Sequence, residues 1–166
     1  MTRSVIQDFV ASDHDHDSCI DAALARAQAV CQARGERLTP QRRQVLELVW
    51  RSHRPVKAYD LLERLSTAGR RAAPPTVYRA LEFLREAGLV HRLESLNAFI
   101  GCPRPDMRHS AQFLICTRCG AVAEMDDASL TAKIDANARR LGFKVDDEKI
   151  EVNGTCRECR ERDAPG

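Results

Sequence analysis

The chain has 166 residues, enough for one domain or two small ones. Its 43% hydrophobic and 30% charged residues are ordinary for a globular protein, and no apolar run approaches the roughly 18 residues needed to span a bilayer. The net charge of +2 hides an asymmetry: residues 1–29 carry −3, residues 30–100 carry +6 and residues 101–166 carry −1.

The first residues, Met1 to Asp8, lack the basic start and apolar run of a signal peptide, so a cytoplasmic protein is expected. Seven cysteines in a reducing compartment point to thiolate ligands rather than disulfides. The central basic segment is mostly arginine, whose planar fork suits phosphates and guanine edges. A solvated surface would show the same charge.

Residues 1–17 show little periodicity and read as a flexible acidic lead-in. The run Asp13-His14-Asp15-His16-Asp17 offers carboxylates and imidazoles, but aspartates before a helix also suit its N-terminus. From about Ser18 to Arg34, Ile20, Leu24, Ala27 and Cys31 share one helical face, and Gly35 ends it. Cys19 and Cys31 have no C-x-x-C partner, and Cys31 reads as a small core residue. Thr39-Pro40 is a cap followed by proline at the first helical position, and Val45, Leu46, Val49 and Trp50 follow as the buried set. A third helix begins near Lys57, turns Leu61, Leu62 and Leu65 inward and closes at Gly69.

A fourth helix opens at Pro75 or Thr76, with Val77, Ala80, Leu81 and Leu84 facing inward and Gly88 ending it. Leu89–Leu93 and Ala98–Ile100 then read as strands joined by a turn at Ser95-Leu96-Asn97. Helices followed by a β-hairpin give the order of a winged helix-turn-helix. In that architecture the last helix before the wing enters the major groove, and Tyr78 and Arg79 lie in its first turn. Helical units of this size also serve as protein-binding modules.

Residues 102–108, with Cys102-Pro103-Arg104-Pro105, read as a stiff connector between a DNA-binding domain over 1–101 and a dimerisation domain over 109–166. In the second domain, Ala111–Ile115 and Ala121–Met125 read as strands around Cys116-Thr117-Arg118-Cys119-Gly120. Asp127–Leu141 reads as an amphipathic helix with Leu130, Ile134, Ala138 and Leu141 on one face, capped by Gly142. Phe143–Val152 reads as a strand, and Cys156-Arg157-Glu158-Cys159 leads into a polar tail. The expected fold class is α+β: a winged helix-turn-helix, then a small α/β dimerisation domain with a four-cysteine zinc site. Such a small core gains from a metal staple and a dimer interface.

Two C-x-x-C pairs, Cys116/Cys119 and Cys156/Cys159, supply the four thiolates of a closed structural zinc site. The 36 residues between them leave room for a helix and a strand. A redox C-x-x-C is the alternative, but no thioredoxin-like βαβ pattern precedes the pairs. His91, Cys102, His109 and Glu124 are a second possible set. Each alone is ordinary; together they offer N, S, N and O donors, a mix that suits four-coordinate zinc.

Leu38-Thr39-Pro40-Gln41-Arg42, Ala58-Tyr59-Asp60, Pro75-Thr76-Val77-Tyr78-Arg79-Ala80-Leu81 and Cys116-Thr117-Arg118-Cys119-Gly120, taken in order, resemble the ferric uptake regulator family. The resemblance runs from about Cys31 to Cys159. The set His91, Cys102, His109 and Glu124 resembles the zinc-sensing branch, where the equivalent positions bind the regulatory zinc. The iron-sensing branch usually lacks a cysteine there and has a His-rich stretch before the first pair, whereas Met107-Arg108-His109-Ser110 holds one histidine.

The resemblance implies a homodimer with no catalytic role, two zinc ions per chain, a double-stranded DNA operator as partner, and repression of zinc-uptake genes. It implies no membrane and no small-molecule substrate. It places Arg79 and Tyr59 at bases and Tyr78 close to DNA, with Thr76 at the same helix start. A family member sensing iron, manganese or peroxide is the nearer alternative, and a zinc-stapled protein-interaction module the farther one. An enzyme would need an open metal position and a base, and Glu124 is the only obvious candidate.

Overall fold

The computed structural model describes residues 5–9, 16–67, 73–107 and 109–162. Their elements run β1 (Val5–Gln7), α1 (His16–Ala33), α2 (Pro40–Trp50), α3 (Ala58–Thr67), α4 (Pro74–Glu86), β2 (Val90–Leu93), β3 (Ala98–Gly101), β4 (Gln112–Cys116), β5 (Val122–Met125), α5 (Ala128–Arg140), β6 (Ile150–Gly154) and α6 (Arg157–Arg162). The chain divides into two compact units, residues 11–107 and residues 1–10 with 108–166.

In the first unit, apolar residues at helical spacing bring four helices and a hairpin onto one core. α1 contributes Ala23, Leu24, Ala27 and Cys31; α2 contributes Val45, Leu46, Val49 and Trp50; α3 contributes Leu61 and Leu65; α4 contributes Val77, Ala80, Leu81 and Leu84. Burial pushes the Cys31 thiol above its ordinary pKa, with Glu36 adding to the effect, which suits a core residue rather than a ligand. The Thr39 hydroxyl accepts from the Arg42 N–H at 3.4 Å, and Pro40 opens α2 as its fixed φ favours.

α4 opens one residue earlier than the sequence suggests, at Pro74, with no side-chain cap. Its end is a Schellman turn. The Leu89 N–H reaches back to the Leu84 carbonyl and the Gly88 N–H to that of Arg85, with Gly88 at φ +74°. The chain leaves this turn directly into β2, which pairs antiparallel with β3, Val90 opposite Gly101 and His91 opposite Ile100. Val56 adds a bridge to Phe99, tying the hairpin to the segment before α3. Gly69, expected to close α3, lies outside the described residues.

In the second unit a four-stranded sheet has the order β1-β5-β4-β6, with β6 parallel to β4 and the other pairs antiparallel. α5 makes the crossover that the parallel pair requires. Asp127 caps it by accepting from the Ser129 and Leu130 amides, and Gly142 ends it in a second Schellman turn. No residue of α5 is buried; Leu130, Leu141, Phe143 and Val152 are exposed.

Three sequence expectations are corrected here. Residues 5–7, read as part of a flexible lead-in to the first domain, form an edge strand on β5 in the second unit. The strand expected over Phe143–Val152 is confined to Ile150–Gly154. The expected polar tail begins as α6. In each case backbone pairing or a short helical turn, rather than side-chain periodicity, defines the element. No helix among the described residues is long and apolar enough to cross a membrane.

Candidate metal centres and nucleic-acid face

Cys116 ends β4, where the tight turn at Gly120 (φ +73°) brings Cys119 back beside it. Cys156 and Cys159 lie at the start of α6, which β6 delivers to the same end of the sheet. The four sulfurs lie within 4.8 Å of one another. Tetrahedral zinc with bonds of about 2.3 Å would set sulfurs about 3.8 Å apart. The Cys119 and Cys156 sulfurs are 3.7 Å apart. The Cys116 and Cys156 thiols are shifted in opposite directions. Backbone N–H groups, first that of Cys156 at 3.3 Å and then that of Cys119, lower the Cys116 pKa to about 6. The Cys159 N–H likewise favours a Cys156 thiolate, but burial and the three neighbouring sulfurs outweigh it and push that thiol up to about 12. A divalent cation held by the four sulfurs would favour the thiolate form of its ligands. The donor set fits zinc.

The second set is divided between the two units. On the hairpin, the Cys102 N–H donates to the Leu89 carbonyl at 2.9 Å, extending the ladder one step beyond Val90 and Gly101. That register puts Cys102 opposite Leu89 and on the same face as His91, a diagonal pair within side-chain reach. Cys102 is buried and His91 half-buried. In the second unit, His109 Nε2 lies 2.7 Å from Glu124 Oε1. Glu124 sits on β5 between Phe113 of β4 and Gln7 of β1, a charged side chain directed into a largely buried region. A carboxylate beside an imidazole suits a metal site and equally suits a buried ion pair.

Tyr59 stands in the first turn of α3 at 66% exposure, and Tyr78 in the first turns of α4 at 55%. Arg79 beside it is exposed and Thr76 half-buried. The same α4 turns that bury Val77 and Ala80 therefore present Tyr78 and Arg79 to solvent. His14 lies outside the described residues; His16 stacks against His53 with ring centres 4.9 Å apart.

Two features escaped the sequence reading. Arg162 Nη2 donates to the Cys159 sulfur at 2.9 Å. Its position three residues after Cys159 on a helix is the signal, hidden because the tail was not read as helical. Gln112, 1% exposed, pairs its side-chain amide with the Asp127 backbone, donating to its carbonyl at 3.2 Å and accepting from its N–H at 3.3 Å. Nothing local in the sequence marks that pairing across 15 residues.

The sequence profile of the ferric uptake regulator family matches residues 33–153. The chain belongs to that family. It is 42% identical over 142 residues to the zinc uptake regulation protein of Escherichia coli, covering 85% of this chain and 83% of that one. It is 30% identical over 141 residues to the peroxide operon regulator of Bacillus subtilis, covering 84% and 95%. Among solved structures, a zinc uptake regulator complexed with zinc and DNA matches with a TM-score of 0.84 at 41% identity, covering 88% of this chain and 98% of that one. Holo XcZur matches at 0.77 and 44% identity, covering 83% and 96%. The family match takes in the helices of the first unit from α2 onward, the hairpin and the first C-x-x-C pair. Cys156, Cys159 and Arg162 lie just past its end.

Proposed function

We propose that this family member is a zinc-responsive DNA-binding repressor of zinc-uptake genes, cytoplasmic and homodimeric, with two zinc ions per chain. The observation that carries the zinc reading is the thiol–imidazole pair on one face of the hairpin. Cys102 and His91 project together from the wing, and a sulfur donor argues against the oxygen-rich sites of harder metals. The relative complexed with zinc and DNA supports both ligands.

In this reading, Cys116, Cys119, Cys156 and Cys159 hold a structural zinc. His91 and Cys102 from the first unit, with His109 and Glu124 from the second, hold a regulatory one. Because the regulatory donors come from both units, zinc restricts their relative orientation and so supplies in advance part of the ordering that two half-sites demand. Tyr59, Thr76, Tyr78 and Arg79 face the DNA, with Arg79 as the reader of base edges. The exposed Leu130, Leu141, Phe143 and Val152 supply apolar area for pairing with a second copy. With Glu124 used as a ligand, no base remains for hydrolysis, so no catalytic role is proposed. Iron, manganese or peroxide sensing is the nearer rival within the family, and Cys102 is the residue that argues against it.

The test is zinc content per chain before and after mild chelation, with DNA binding assayed on the same samples. Two zinc ions, one of them lost together with DNA binding, is the expected result. A single tightly held zinc with DNA binding indifferent to chelator would remove the regulatory site.

A further inference from the structure

A sensor with two zinc ions needs one that leaves and one that stays. In the reading above both sites contain thiolate, so thiolate donation alone does not set them apart. The four-cysteine centre has a feature that bears on the difference. α6 begins within the second C-x-x-C pair, so its first turn carries Cys159 and its last carries Arg162. Arg162 Nη2 donates to the Cys159 sulfur at 2.9 Å, and its Nε donates to the Glu158 carbonyl at 3.4 Å. The guanidinium is thus held by two contacts on the helix, one of them to a buried thiol. Arg157, on the same helix, instead pairs with Glu161 at 2.7 Å and is 89% exposed along its side chain.

We propose that Arg162 is a positioning residue that makes the zinc of the four-cysteine centre slow to exchange, by donating a charge-assisted hydrogen bond to Cys159. The proposal rests on those four cysteines being the structural zinc centre. Zinc with four thiolates carries a formal charge of −2, so electron density accumulates on sulfur. That density is what an electrophile or a competing cation attacks. A hydrogen bond from a permanently charged guanidinium withdraws part of it and holds the sulfur in place. Groups that touch a metal ligand typically change affinity or reactivity by about 10- to 100-fold when removed. Arginine provides this better than lysine here, because its planar fork bonds the sulfur and the Glu158 carbonyl at once.

The test uses the zinc-loaded full chain, challenged with N-ethylmaleimide while a chromogenic chelator reports released zinc. The slow phase is compared in wild type, Arg162→Ala, Arg162→Gln, Arg162→Lys and Arg157→Ala. The expected result is slow-zinc release at least about tenfold faster in Arg162→Ala and Arg162→Gln, partial recovery in Arg162→Lys, and a wild-type rate in Arg157→Ala. Release from Arg162→Ala within twofold of wild type would overturn the proposal. So would equal acceleration in Arg157→Ala, which would make the effect one of general charge. Where Arg162→Ala does not fold, the pair Arg162→Lys and Arg162→Gln decides: a slower lysine variant supports the bond, and equal rates refute it. A wild-type protein with no slow zinc that Cys116→Ser removes would instead sink the zinc-centre reading itself.

Discussion

Gly101 shows how tightly a single residue can be fixed. A Cβ placed there would lie 2.3 Å from Trp50 Cε2 and 2.4 Å from its Nε1, inside any real contact distance. The indole therefore lies against bare backbone, one residue before Cys102. Gly101→Ala is expected to destabilise the protein by about 1–3 kcal/mol through overpacking. It should also weaken the exchangeable zinc, because the clash displaces the strand that carries Cys102. Urea unfolding and a zinc titration measure the two effects. Gly154→Ala, where a Cβ meets nothing within 4 Å, is the matched control, and equal losses in both variants would refute the packing argument. The sequence does not mark Gly101, because its constraint is an indole 51 positions away. It does mark Thr39-Pro40, where cap and helix start are adjacent. Thr39→Ala should cost roughly 1 kcal/mol by the same unfolding measurement.

Among the elements, those with long apolar stripes were legible and the short ones were not. α2 and α4 follow from side chains recurring at helical spacing. β1 is three residues long and α6 six, so neither shows a period, and only β1's pairing with β5 and α6's position after Cys156 define them. α4 carries the clearest functional expectation. Arg79→Ala should relax sequence discrimination by about 1–3 kcal/mol, while leaving binding to random DNA nearly intact, if the side chain forks onto a guanine. Titrations on specific and random duplexes check this, and equal losses on both would make Arg79 a phosphate contact. α5 carries a pH dependence. The Ser129 hydroxyl first, and then the Ser129 and Leu130 amides, hold the Asp127 carboxyl below its ordinary range. A carboxyl whose pKa is lowered on folding contributes stability above its unfolded pKa, about 4, and loses it as pH falls through the lower folded value. Asp127→Asn should flatten that part of the stability–pH curve below about pH 4, as read by thermal unfolding of wild type and variant in parallel.

At the scale of the molecule, the two halves of the metal chemistry call for different outcomes from the same substitution. The order of helices, hairpin and cysteine pairs was legible because each segment announces itself locally. The way His91 and Cys102 share a face was not, since it depends on the register that pairs Leu89 with Cys102. Neither was the exposure of Phe143, which the sequence placed in a strand and which is 64% exposed. On the proposed assignment, Cys102→Ser removes one of four regulatory donors and leaves the four-cysteine set in place. It should therefore keep the melting curve and the dimer, but lose the zinc-induced tightening on DNA. Each tenfold of that tightening corresponds to about 1.4 kcal/mol of coupling. Cys116→Ser removes the sulfur whose pKa is lowered, from a small cluster in which Cys116, Cys156 and Cys159 are the buried members. It should unfold the second unit or dissociate the dimer, even at saturating zinc. Thermal unfolding, sedimentation and DNA titration with and without zinc distinguish the two variants. An unchanged melting curve for Cys116→Ser would contradict a structural zinc. Zinc-tightened DNA binding by Cys102→Ser would show that the two units are coupled through some other set of donors.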